Sequence, residues 1–103
     1  METKAKIWLE VDGRPVIGEG RARLLESVDE TKSLSESARR MGLSYRYAWG
    51  VIREIEKNLG KSIISSSRGG SGGGRTELTE DGRALLREFR EKEELFRKCM
   101  MES

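Results

Sequence analysis

From Lys6 to Val11 the chain alternates polar and apolar residues (KIWLEV), which predicts a strand with Ile7, Leu9 and Val11 on one face. Asp12-Gly13 offers a two-residue hairpin turn, Arg14–Ile17 returns, and Gly18-Glu19-Gly20 breaks the strand. A first helix is expected over residues 21–31, with Leu24, Leu25 and Val28 inward. Ser33-Leu34-Ser35-Glu36 is a capping box. It opens a second helix whose apolar residues Leu34, Ala38 and Met41 recur at helical spacing. Gly42 suits a left-handed helix end, and Ser44 is a good cap for a third helix running to about Leu59, where Gly60 stops it. Residues 62–67 and 76–78 read as short strands around a glycine-rich loop. A long helix then follows, capped by Thr79-Glu80-Asp81 and reaching about Glu102.

This order is a strand pair, three helices, a hairpin and a helix. A short helix, a tight turn with glycine and a longer helix make a helix-turn-helix. The fold expected is mainly α with a small β component. It is a winged helix-turn-helix with an N-terminal β-hairpin and a long C-terminal dimerisation helix, forming a single domain over residues 1–103. The helix-turn-helix takes residues 33–60, the wing 62–78 and the last helix 79–102. An ordinary helical hairpin in a small bundle is the plainer alternative for 33–60.

The third helix carries the candidate chemistry. At 100° per residue, Ala48, Val51, Ile52, Ile55 and Leu59 fall on one side, with Arg46, Gly50, Arg53 and Lys57 opposite. Long cations reach guanine edges or phosphates, and a tyrosine hydroxyl bonds phosphate. The candidate DNA-binding residues are therefore Ser44, Tyr45, Arg46, Tyr47, Trp49, Gly50, Arg53 and Lys57. A solvated outer stripe is the bland alternative, and Trp49 has a packing role as its own alternative. Gly50 weakens the helix by roughly 1 kcal/mol relative to alanine, which makes sense where another surface approaches closely.

Charge sharpens this picture. The chain has 103 residues, with Lys+Arg 20 and Asp+Glu 18 for a net +2. Residues 44–75 hold six basic and two acidic side chains, a local +4. Clustered positive charge is a footprint for polyanions. The chain has no histidine and one cysteine, Cys99, so a zinc site, a disulfide and a nucleophile–base pair are all disfavoured. No enzyme, metal or cofactor is expected. No long apolar run and no secretory start are present, so a cytoplasmic protein without a membrane segment is expected.

The loop invites two readings. Gly69–Thr76 (GGSGGGRT) nearly matches the phosphate-cradling G-x-x-x-x-G-K-[ST]. However, Arg75 replaces the lysine, and a strand rather than a helix follows. As the tip of a wing, the loop has Arg68 and Arg75 bracketing glycine and serine, Gly70 among them, so it can lie against a DNA backbone or enter a minor groove. A loop with incidental arginines is the alternative.

Two quoted stretches, SLSESARRMGLSYRYAWGVIREIEKNLG and SSSRGGSGGGRTELTEDGRALL, resemble the N-terminal DNA-binding domain of the molybdate-responsive regulator (ModE) family, a LysR-type winged helix. The resemblance covers roughly residues 20–100. It implies a transcription factor that binds double-stranded DNA as a homodimer, with Ser44–Leu59 as recognition helix, Ser67–Thr76 as wing and Glu80–Glu102 building the dimer with the first helix. In the last helix, Leu85, Phe89, Phe96 and Met100 share one face and are the expected dimerisation residues, with Leu86 and Leu95 turned toward the monomer core. In the family's full-length members a separate domain binds molybdate. The sequence ends at Ser103 without it, so molybdate sensing does not carry over, and any signal is expected from a separate effector-sensing partner chain or from concentration. The function expected is a sequence-specific DNA-binding transcriptional regulator. The alternatives are an architectural or non-specific DNA binder and a winged helix used for protein–protein contact.

Overall fold

A computed structural model describes residues 1–68 and 74–102, with Arg68 and Glu102 described in their backbone only. Strands β1 (Trp8–Val11) and β2 (Arg14–Gly18) form an antiparallel hairpin. Helices α1 (Glu19–Thr31), α2 (Leu34–Arg40) and α3 (Tyr45–Leu59) follow. The antiparallel pair β3 (Ile64–Arg68) and β4 (Gly74–Leu78) leads into α4 (Glu80–Glu102). The predicted winged helix-turn-helix architecture is present.

Local chemistry explains most of the boundaries. Asp12 and Gly13 have φ of 51° and 79°, the left-handed pair that a two-residue hairpin turn requires. The Ser33 hydroxyl accepts from the Glu36 amide at 3.0 Å, and Ser44 accepts from the Tyr47 amide at 3.0 Å, so both helices of the motif have side-chain N-caps. The return half of the expected capping box does not form, because the Glu36 carboxylate pairs with Arg39 and Arg40 and the Ser33 amide donates to the Thr31 hydroxyl at 3.1 Å. The first helix starts at Glu19 rather than Arg21, because extended Gly18 serves as its N-cap. The first strand also departs from expectation. Leu9 pairs with Ile17 but Glu10 pairs with Pro15, and this irregularity breaks the alternation. Ile7 and Leu9 pack against the core, while Val11 is exposed.

One core joins the elements. Val16 and Ile17 of β2, Leu24, Leu25 and Val28 of α1, Ala48, Ile52 and Ile55 of α3, and Phe89 of α4 are all within 1% of complete burial. The wing is fixed to α4 at its base. Thr79 donates its amide to the Ile63 carbonyl (2.9 Å) and its hydroxyl to the Ser62 carbonyl (2.7 Å), and its hydroxyl accepts from the Gly82 amide (3.0 Å). A Cβ on Gly82 would lie 2.2 Å from the Ile63 oxygen, so only glycine lets the helix approach this closely.

The last helix corrects the sequence reading. Leu85 and Phe89 are 7% and 0% exposed, packed in the monomer's own core, so neither can serve as an outward dimerisation residue. Leu95, expected toward the core, is exposed, as is Phe96. The reason is geometric: α4 is 23 residues long, and it packs Leu85 and Phe89 into the core, whereas Phe96 and Met100 farther along line an open cleft with the N-terminal residues Ala5, Lys6 and Ile7. Arg90 marks where the helix leaves the body. Its guanidinium meets Glu19 of α1 at 2.7 Å, Glu26 of α1 at 2.5 Å and Glu93 of its own helix at 2.8 Å. Hydrogen bonding from Arg90 holds the Glu19 carboxyl down to about 2, against the opposing effect of burial.

Among the described residues no helix is long and apolar enough to cross a membrane, and no three metal-ligating side chains are grouped together.

Candidate nucleic-acid interface

α3 is strongly two-sided. Ala48, Ile52 and Ile55 are fully buried, and Arg46, Gly50, Arg53 and Lys57 are exposed as a stripe on the other side. Among the described residues, none of the three cations has a carboxylate within ion-pair range. The two acids of the helix are occupied elsewhere. Glu54 pairs with Arg21 of α1 at 3.2 Å. Glu56 accepts from the Ile63 amide at 2.9 Å and so braces the entry to the wing. The same Arg21 donates to the Val16 carbonyl at 3.0 Å, and Asn58 donates to the Pro15 carbonyl at 2.8 Å, so the N-terminal hairpin holds α3 from behind. Engagement of both acids leaves the outer stripe with positive charge alone.

Trp49 has a double role that its sequence position did not decide. It is half-buried against the core. Its ring also carries the Arg53 guanidinium at 5.7 Å and meets the Tyr45 ring edge-on at 6.4 Å. Tyr45, Trp49 and Arg53 are thus one ladder at four-residue spacing, and the cation–π contact restricts where Arg53 can point. Tyr47 lies on the other flank, 61% exposed, beside an open groove floored by Leu24, Met41, Leu43 and Val51. Gly50 also borders that groove. A Cβ there would meet nothing within 4 Å, so no packing inside the chain requires a glycine.

The wing contributes less than expected among the described residues. Arg75 lies opposite Ser67 in the ladder and pairs with Glu77 at 3.0 Å, so it is not a free cation. The backbone of Arg68 pairs with Gly74. Its side chain and Gly70 lie outside the described residues. Gly74–Leu78 is a strand and α4 starts only at Glu80, so the strand–loop–helix order of a phosphate loop is not met. Sequence reasoning missed a cleft of about 410 Å³ between the wing and the starts of α2 and α3, lined by Ser33, Ser35, Tyr45, Ser66, Ser67 and Thr76. Its only outward sign in the chain is the density of serines at 33–37 and 62–67.

Comparison with known proteins agrees with this geometry. Residues 20–83 match the family of bacterial regulatory helix-turn-helix proteins, lysR family. Over 85 residues the chain is 33% identical to the molybdenum-pterin-binding protein MopA of Rhodobacter capsulatus, covering 82% of this chain and 32% of that protein. It is 30% identical to the molybdenum transport protein ModE of Azotobacter vinelandii, covering 84% of this chain and 32% of the relative. It is 33% identical to the DNA-binding transcriptional dual regulator ModE of Escherichia coli (strain K12), covering 64% and 25%. The chain therefore spans about a third or less of the length of these relatives. They uphold the resemblance to the ModE family. The chain belongs to the lysR family of bacterial regulatory helix-turn-helix proteins.

Proposed function

We propose that this chain is a sequence-specific DNA-binding module of a transcriptional regulator. Residues 33–60 act as the helix-turn-helix and α3 enters the major groove. The observation that carries the reading is the cation stripe: among the described residues, Arg46, Arg53 and Lys57 share one exposed face with no carboxylate in ion-pair range, while Glu54 and Glu56 on its flanks are engaged by Arg21 and the Ile63 amide. Arg46 and Arg53 read base edges, and Tyr45 and Lys57 lie nearer phosphate. The wing at 62–78 reaches the neighbouring groove or backbone.

The working unit is a homodimer. Leu95 and Phe96 are 58% and 53% exposed along the outer half of α4, and Met100 follows one turn on. Exposed apolar side chains of this kind on the outer half of a long helix fit a second copy of the same surface. Two-fold docking then places two α3 helices about one helical turn apart, roughly 34–36 Å along the DNA, and makes the site an approximate palindrome.

Selection of bound sequences from a random duplex pool tests the reading. Enrichment of one motif with two-fold character is the expected outcome. Binding without enrichment favours an architectural role, and no binding to any duplex leaves the fold to protein–protein contact; either result overturns the proposal. For assembly, Phe96→Lys shifts sedimentation toward monomer with the domain still folded. A parent that sediments as monomer well above the DNA-binding concentration refutes the dimer.

A further inference from the structure

We propose that the cleft between the wing and the starts of α2 and α3 is a seat for one phosphodiester group of the bound duplex, held by side-chain hydroxyls. This rests on the DNA reading of α3 and adds a site to it.

The cleft is built from residues far apart in the chain. In the β3–β4 ladder Ile64 faces Leu78 and Ser66 faces Thr76. Side chains alternate along a strand, so Ser66 and Thr76 continue the face that Ile64 and Leu78 bury in the core. That face looks across the cleft at Ser35 of α2 and Tyr45 of α3. The wing is held at this distance by a backbone bond from the Thr76 amide to the Lys32 carbonyl, 3.0 Å, in the turn between α1 and α2. The opening is therefore set by main-chain contacts and does not depend on the side chains that line it.

The chemistry of the lining is one-sided. Among the described residues that line it, every polar side chain is a hydroxyl. The hydroxyls of Tyr45, Ser66, Ser67 and Thr76 make no hydrogen bond to any described residue, and that of Ser35 meets only Ser33, at 3.3 Å. A hydroxyl group donates well to an anionic oxygen, and such a bond is stronger than one between neutral partners. A line of free hydroxyl donors without competing carboxylates suits an anion that brings its own charge.

Position names the anion. A helix in the major groove and a wing at the adjacent minor groove are separated by one sugar-phosphate strand. The cleft lies between those two elements, beside Tyr45 at the first turn of α3, so that strand must cross it. A cation such as Lys57 binds phosphate by displacing counterions, whereas a hydroxyl contact adds affinity without releasing any. The two kinds of contact are thus separable by salt.

The experiment uses Tyr45→Phe, Ser66→Ala and Thr76→Val, singly and combined, with binding to a selected duplex and to a scrambled one measured over a range of salt. Each single change weakens binding to both duplexes by about fivefold, and the combination by about a hundredfold, with the slope of log K against log salt unchanged. Thermal unfolding checks that each variant is folded, and Thr76→Ser, which keeps the hydroxyl, restores affinity. Neutral methylphosphonate placed at single backbone positions weakens the parent at one position beside the wing and leaves the combined variant indifferent there. A folded combined variant that binds like the parent overturns the seat while leaving the DNA reading intact. A salt slope that falls with the hydroxyls overturns it as well. A parent that binds no duplex at any salt overturns both.

Discussion

Arg90 and Arg53 show two uses of the same side chain. Arg90 sits where α4 leaves the body and is held by Glu19, Glu26 and Glu93 from two helices. Arg53 lies over the Trp49 ring on α3, with no carboxylate in ion-pair range among the described residues. The first arrangement fastens one helix to another. The second costs the monomer something, because like charges four residues apart, as Arg53 and Lys57 are, repel by a few tenths of a kcal/mol. Under the proposed reading, a bound polyanion offsets that repulsion. The comparison therefore divides the charged residues into those that hold the structure and those left for a partner.

The division breaks first if the two sets fail to separate under mutation. The largest effect is expected from Arg46→Ala combined with Arg53→Ala. Each base-reading arginine contributes roughly 1–3 kcal/mol to discrimination, so the selected site loses its advantage over a scrambled duplex. Folding stability falls by no more than about 1 kcal/mol, the worth of the Arg53–Trp49 cation–π contact, since neither side chain has a charged partner to abandon. Anisotropy titrations and urea unfolding on the same samples check both halves. Unchanged affinity and unchanged preference sink the assignment of α3.

Arg90→Ala gives the opposite pattern at smaller size. It leaves three carboxylates near one another on α1 and α4, and stability falls by about 1–2 kcal/mol. Acid sharpens the point through Glu19, whose carboxyl Arg90 holds near 2 against an ordinary value of 4.5. A carboxyl with a lowered folded pKa contributes stability above its unfolded value and loses it as pH falls through the folded one. Unfolding curves of the parent and Glu19→Gln are therefore expected to differ at pH 6, to draw together below about pH 4.5 and to meet near pH 2. A gap that persists unchanged to pH 2 argues that Glu19 acts through packing rather than charge.

The division was only partly legible in the chain. Helix ends were legible because capping is local: Ser33, Ser44 and Gly60 each act within a few residues of their position. The buried and exposed sides of α3 were legible because one helical period covers them. The roles along α4 were not. Periodicity shows that Leu85, Phe89, Phe96 and Met100 share a face, but not where along the helix its neighbours stop. The stopping point falls between Phe89, fully buried, and Leu95 and Phe96, both more than half exposed. Contacts between distant segments were equally hidden. No spacing rule joins Arg21 to Glu54, or Ser35 and Tyr45 to Ser66 and Thr76.

Lys57 offers a finer cut within the partner-facing set. The proposed reading puts it nearer phosphate than base, so Lys57→Ala is expected to weaken selected and scrambled duplexes alike. The slope of log K against log salt then becomes shallower by about 0.9, one phosphate contact. Loss of preference at a single base pair, with an unchanged slope, moves Lys57 into the base-reading group with Arg46 and Arg53.

The smallest effect is expected at Gly50, and it has two opposite signs. Gly50 is in the interior of α3, where alanine is more favourable by roughly 0.5–1 kcal/mol. A Cβ there meets nothing within 4 Å, so Gly50→Ala adds that stability without strain inside the chain. The same methyl group projects from the centre of the cation stripe. If the DNA surface comes as close as a glycine permits, it has to move back, at a cost of about 1 kcal/mol or more to binding. Gly20 is the control: it is also helical and also open, but it belongs to α1 and not to the stripe. Gly20→Ala should raise or preserve the unfolding midpoint and leave affinity alone, while Gly50→Ala raises the midpoint and weakens binding. A Gly50→Ala variant that is more stable and binds as tightly as the parent would show that the duplex keeps its distance from the middle of α3, and would shift base reading toward Arg46 at the helix start.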